Sequence, residues 1–225
     1  MLRSRSGVKF ASELLGTTLL LAAVVGSGIM GEALAQGNLA VALLANAAAT
    51  AGVLYVLITI LGPLSGAHFN PAVSLVTFAR GDLSGADTTA YLLAQFAGAI
   101  LGVLLAHLMF DVDLMQLSAK TRSSVGQYVS EGVATFGLVL TILASVHHRP
   151  SAVPLLVASY IFAAYWFTAS TSFANPAVTV ARALTDSFSG IRAIDVPGFI
   201  VSQAVGAAAA ALCARMLLDR PAPSP

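Results

Sequence analysis

Charged residues are scarce: Lys, Arg, Asp and Glu together make up 9% of the 225 residues, against roughly a quarter in a soluble domain. With 57% hydrophobic residues and a mean hydropathy of +0.86, that scarcity excludes a water-soluble globule. A basic surplus is missing too. Eleven Lys and Arg against ten Asp and Glu leave a net charge of +1, far short of what neutralising phosphates requires, so nucleic acid is not expected as a partner. One cysteine, Cys213, can close no internal disulfide and supplies no cluster of soft ligands. Neither a redox framework, a metal site nor a cofactor is therefore expected. The length fits one domain.

Apolar residues are what the chain has instead, and they come in runs. A hydrocarbon core about 30 Å thick needs about 20 predominantly apolar residues per helix. Six stretches qualify: 10–31, 39–61, 88–110, 125–146, 152–170 and 196–218. The first contains Glu13, and its Ala33-Leu34-Ala35 end leads into further spans, which argues against a cleaved signal peptide. With the N-terminus inside, Arg3, Arg5, Lys9, Arg80, Arg149, Arg215 and Arg220 fall on the cytoplasmic side. Lys120, Arg122, Arg182 and Arg192 fall outside. The positive-inside rule then predicts both termini in the cytoplasm and a multi-pass protein of the plasma membrane, the inner membrane of a bacterium.

Two connections, Leu64 to Ala79 and Thr171 to Ala183, are too apolar to be ordinary loops. Irregular backbone enters a bilayer only where protein or a water-filled cavity satisfies its amides, so both are predicted to be re-entrant half-helices lining a cavity. Residues 10–110 laid over 128–218 reveal an internal repeat. Glu13 in ELLGTTLLL matches Glu131 in EGVATFGLVL. HFNPAVSL (68–75) matches SFANPAVTV (172–180), and Gln95 and Gly98 match Gln203 and Gly206. Three spans per copy turn the second copy upside down, so the half-helices enter from opposite faces and meet near the midplane. The predicted fold class is an all-α membrane protein: six transmembrane helices plus two re-entrant half-helices in an inverted repeat. Residues 1–225 form one domain, with 219–225 a cytoplasmic tail.

The half-helices carry Asn70-Pro71-Ala72 and Asn175-Pro176-Ala177. Proline suits the first helical position, which places each Asn at an N-cap, its oxygen bonding its own helix's amides. Its NH2 can still turn outward, giving the cavity two donors at its centre. Two helix N-termini converge there as well. A neutral hydroxylic solute finds replacement hydrogen bonds at such a point, while a cation is repelled and a proton cannot pass along the water file, the account general to aquaporin-type pores. Two ordinary capped helix starts on surface loops would explain one copy, but fit poorly with two at equivalent points of an inverted repeat. A secondary transporter shares inverted repeats and broken helices, and remains an alternative in which Glu13 and Glu131 carry protons.

These motifs, the Glu13/Glu131 and Gln95/Gln203 pairs and the string SGAHFNPAVS at 65–74 are similar to those of the aquaporin, or major intrinsic protein, family, over about 210 residues. The resemblance implies a homotetramer in the lipid bilayer with one pore per subunit, passing water or small neutral solutes, and no enzyme activity. It implies that His68 lines the inner pore, the other reading being a hydrogen bond to loop backbone. Glu13 and Glu131 are read as loop-stabilising, since a buried carboxylate can accept the re-entrant amides. Small residues every four, Ala94, Gly98, Gly102 and Ala106, then Ser202, Gly206, Ala210 and Ala214, are read as close helix packing.

One departure stands out. Most of the family has Arg after the second Asn-Pro-Ala, where this chain has Val178. Ungapped counting puts the rest of the family's selectivity filter on Thr50, Ala163 and Ser172, a ring of small or uncharged residues expected to be wider than a water filter. Arg182, one turn beyond Val178, is expected to snorkel to the headgroups, the other course being to restore positive potential at the outer vestibule. Chains with Val here are similar to bacterial aquaglyceroporins associated with arsenic resistance. The expected solutes are therefore trivalent metalloid hydroxides such as arsenite and glycerol-like polyols, with a narrow water-selective pore as the alternative. His107, His147 and His148 are expected at the interface, and Tyr165 and Trp166 in helix packing or interfacial anchoring.

Overall fold

The computed structural model describes residues 5–218. The expected tail 219–225, Arg3, Arg220 and the side chain of Arg5 lie outside the described set. The helices, in chain order, are α1 (Arg5–Leu34), α2 (Leu39–Ser65), α3 (Pro71–Ala79), α4 (Gly85–Met109), α5 (Val125–His148), α6 (Val153–Phe167), α7 (Pro176–Ala181) and α8 (Val196–Leu218). Six of them are long and apolar enough to cross a membrane, α6 with the 3-10 turn Pro150–Ala152 in front of it. They match the six runs read from the sequence. An even number of crossings puts the start of α1 and the end of α8 on one side of the bilayer.

Local chemistry sets the boundaries. The side chain of Asn38 accepts from the Ala40 and Val41 amides at the start of α2. Ser84 caps α4, and Ser124 with Gln127 makes a reciprocal capping box on α5, satisfying amides that a helix start leaves free. Helix α2 ends where Gly66 takes a φ of 87° and its N–H returns to the Gly62 carbonyl at 2.8 Å. That left-handed position suits glycine, and it turns the chain back into the protein as the first re-entrant segment.

Helix α1 packs on α4, and α5 packs on α8. The small-residue stripes lie in these seams. A Cβ on Gly98 would sit 2.6 Å from the Leu14 carbonyl oxygen, and one on Gly206 would collide with the Gly132 carbonyl. Backbones approach this closely only where at least one of the two residues in contact lacks a side chain. One buried apolar cluster then joins the halves, with Leu21, Val25 and Val103 from the first and Ala134, Leu138 and Ala177 from the second. Outward, α4 and α8 expose Leu93, Leu101, Leu108, Val201, Val205 and Leu212, an apolar exterior suited to lipid. The half-helices α3 and α7 fill the space enclosed by the six spans.

Candidate functional site: a polar seam through the helix bundle

Each half-helix begins at its asparagine. Asn70 Oδ1 accepts from the Ala72 amide at 2.9 Å, while Asn175 Oδ1 accepts from Ala177 and Val178 at 3.0 and 3.2 Å. The amide nitrogens cross over. Asn70 Nδ2 donates to the Ala174 carbonyl and Asn175 Nδ2 to the Phe69 carbonyl, both at 2.8 Å. One N–H of each asparagine thus ties the two half-helices together, and one remains for whatever occupies the centre.

The residues around each Asn hold a backbone that ordinary L-residues resist. Ala67 and Phe69 have φ of 50° and 48°, and their counterparts Ser172 and Ala174 both have φ of 50°. Such left-handed conformations cost about 1–3 kcal/mol apiece and persist where the surroundings fix them. Here the fixing groups are the two glutamates. Glu13 accepts from the amides of His68 and Phe69 at 3.0 and 2.7 Å, and from Ser65 Oγ and Gln95 Nε2. Glu131 accepts from the amides of Phe173 and Ala174 at 2.8 and 2.9 Å, and from Gln203 Nε2 at 2.6 Å. Gln95 also donates to Ser74 Oγ, and Gln203 to Thr179 Oγ1. Sequence reasoning missed Ser74 and Thr179, although each is a hydroxyl four residues after its Asn in both copies of the repeat.

A cavity of about 420 Å³ runs along this seam. Asp82, Val146 and Val153 line one end, Asn70 and Asn175 the middle, and Thr50, Tyr165, Ser172, Val178 and Arg182 the other end. One wall is hydrocarbon, with Leu54, Ile58, Leu138, Ile142, Val157 and Ile161. His68 lines the cavity with its Nδ1 3.0 Å from Ser74 Oγ and its ring edge-on to Tyr91. Its bonded partner is therefore a side chain rather than loop backbone.

Three expectations need correction. Ala163 lies on the exposed face of α6 and not on the cavity. The residues of α6 that face inward are Val153, Val157, Ile161 and Tyr165, spaced by four, and Ala163 falls between turns of that stripe. Tyr165 is buried in helix packing, one of its two expected places, and it also lines the cavity, with its hydroxyl 3.3 Å from Thr50 Oγ1. Arg182 does not snorkel. It is 1% exposed, its Nε donates to the Ser189 carbonyl, and its guanidinium lies 3.4 Å over the Phe173 ring. Partners seven residues after it and nine before it outcompete the headgroups, and the ring expected to hold neither an aromatic nor a guanidinium has both beside it. His107 is buried, with Nδ1 3.0 Å from the Leu114 carbonyl, because the 110–124 connection folds back over the end of α4. His147 and His148 are exposed at the end of α5.

Around the Arg182 end, sequence reasoning saw Arg122 only as a topological cation. It is buried, donating to the carbonyls of Gly190, Ser170 and Phe188, while its own amide bonds Asp195. Burial pushes its guanidinium down to about 10. Lys120, bonded to the Phe188 carbonyl, is lowered to about 8 by burial and then by Arg122 and Arg182.

Residues 2–169 match the family described as Major intrinsic protein. The chain belongs to the major intrinsic protein family. It is thus a membrane channel protein rather than an enzyme. Aquaglyceroporin AqpS of Rhizobium meliloti is 59% identical over 208 residues, 92% of this chain and 89% of that one. The probable aquaporin AqpM of Archaeoglobus fulgidus is 29% identical, covering 90% of this chain and 94% of its own. The X-ray structure of the aquaglyceroporin from Plasmodium falciparum shares the fold, with a TM-score of 0.72 at 19% identity and 95% of this chain covered.

Proposed function

We infer that this chain is a passive conduit for small uncharged solutes bearing several hydroxyls, glycerol-like polyols and trivalent metalloid hydroxides such as arsenous acid, and that it rejects ions. The two-faced cavity carries this reading. One N–H from each of Asn70 and Asn175 is left over from the cross-tie, on the opposite side from a hydrocarbon wall that includes Leu54, Ile58 and Ile161. A polyol's hydroxyl edge and carbon edge match those two faces, while an ion has no countercharge at the centre. The name aquaglyceroporin borne by a 59% identical relative supports the same reading.

In this reading Thr50, Ser172, Val178, Tyr165 and Arg182 form the selective end. Asn70-Pro71-Ala72 and Asn175-Pro176-Ala177 form the throat, His68 lines the inner half, and Glu13 and Glu131 hold the loops. Both termini are cytoplasmic, and four copies assemble, each with its own pore. Tyr165 and Arg182 at the outer end favour a second reading, a narrower water-selective pore. Stopped-flow light scattering of proteoliposomes in glycerol and arsenite gradients separates the two. The wild type is expected to pass both solutes, and Val178→Arg to lose them while keeping water flux. Equal solute rates in the two proteins would overturn the assignment of Val178.

A further inference from the structure

We propose that Arg182 is the specificity-determining cation of this pore, presenting its two Nη groups with the Ser172 hydroxyl to the oxygens of a passing neutral solute and barring cations, in the place left uncharged by Val178. This rests on the reading of the cavity as a solute path. Four observations carry it.

Arg182 lines the cavity with Ser172 and Val178, yet neither Nη1, Nη2 nor Ser172 Oγ has a hydrogen-bond partner among the described residues. Its Nε is held by the Ser189 carbonyl and its face by the Phe173 ring, so the side chain is fixed while both Nη atoms are buried with no partner among the described residues. Ion pairs among the described residues join Lys9 with Asp87, Arg80 with Asp82 and Arg192 with Asp195. None neutralises Arg182. The nearby Glu131 already accepts from two loop amides and Gln203. Arg122 also lies over Phe173, at 4.9 Å, but spends its N–H groups on backbone carbonyls.

A buried guanidinium is costly unless its hydrogen bonds are met. A planar fork with two unpartnered NH2 groups matches paired oxygens, which adjacent hydroxyls of a polyol or a metalloid hydroxide provide. The same fixed charge repels a cation at the Arg182 end of the cavity, where buried surroundings screen it little. Exclusion of cations then belongs to the outer end as well as to the asparagine throat.

Two measurements test this. Proteoliposomes of wild type, Arg182→Lys and Arg182→Gln are compared for glycerol flux by light scattering and for sodium and proton leak. Arg182→Gln is expected to raise the leak about tenfold, with Arg182→Lys staying near wild type. An unchanged leak in an Arg182→Gln protein that still passes glycerol overturns the proposal. Absence of glycerol flux in the wild type would instead overturn the solute-path reading. The second measurement keeps Arg182 in place and needs no solute. Ser172→Cys, in a Cys213→Ser background, is treated with anionic and cationic thiosulfonate reagents, and rates are normalised to a small thiol in solution. The anionic reagent is expected to react about tenfold faster. Equal rates, or a faster cationic reagent, would sink the proposal whatever the glycerol result.

Discussion

Glu131 shows how much one side chain holds. Its two oxygens accept the Phe173 and Ala174 amides, and those amides belong to a loop whose next residue is Asn175. A glutamine at 131 keeps one oxygen and turns an NH2 toward the other amide, leaving a buried donor unmet at about 1–3 kcal/mol. Glu131→Gln is therefore expected to lower thermal stability and the yield of assembled protein. The purified variant should retain the solute preference of the wild type. Thermal unfolding followed by size-exclusion chromatography checks this, and an unfolding midpoint equal to wild type would count against the loop-holding role. Arg182 marks the limit of sequence reasoning at this scale. Its spacing put it on the Val178 face, but its course depends on the Ser189 carbonyl and the Phe173 ring. Neither contact leaves a signature in local spacing.

At the scale of elements, the helix seams give the sharpest contrast. A methyl group on Gly206 would strike the Gly132 carbonyl, whereas one on Gly52 meets nothing within 4 Å. Gly206→Ala is expected to cost about 1–3 kcal/mol, because backbone must move to admit the atom. Gly52→Ala should be neutral or stabilising by up to about 1 kcal/mol through the helix preference of alanine. Chemical or thermal denaturation of the two purified variants compares them, and equal stabilities would refute the packing argument. The spans were legible because hydrophobic length is a direct physical requirement of the bilayer, and the half-helices because Asn-Pro-Ala caps recur after apolar runs. The lining of the Arg182 end of the cavity was legible only in part. Thr50, Ser172 and Val178 line the cavity, but ungapped counting landed on Ala163, where the inward stripe of α6 runs through Ile161 and Tyr165. An error of two residues carries a side chain to the far face of a helix.

For the molecule as a whole, six crossings put the α1–α2 and α5–α6 connections on opposite sides of the bilayer. Gln36 and Ser151 are exposed in those connections. With cytoplasmic termini, Gln36→Cys in a Cys213→Ser background should react with a membrane-impermeant maleimide in intact cells, and Ser151→Cys only after lysis. The reverse pattern would invert the proposed orientation. The repeat itself was readable from paired motifs, since matched residues do matched work: Glu13 with Glu131, Gln95 with Gln203.

The reciprocal bonds between Asn70 and Ala174 and between Asn175 and Phe69 also bear on biogenesis. A nascent polypeptide that has emerged only as far as α4 carries an Asn70 amide whose acceptor has not been synthesised. The first re-entrant segment therefore cannot complete its bonding until synthesis has passed Ala174. Maturation of the first half waits on the second.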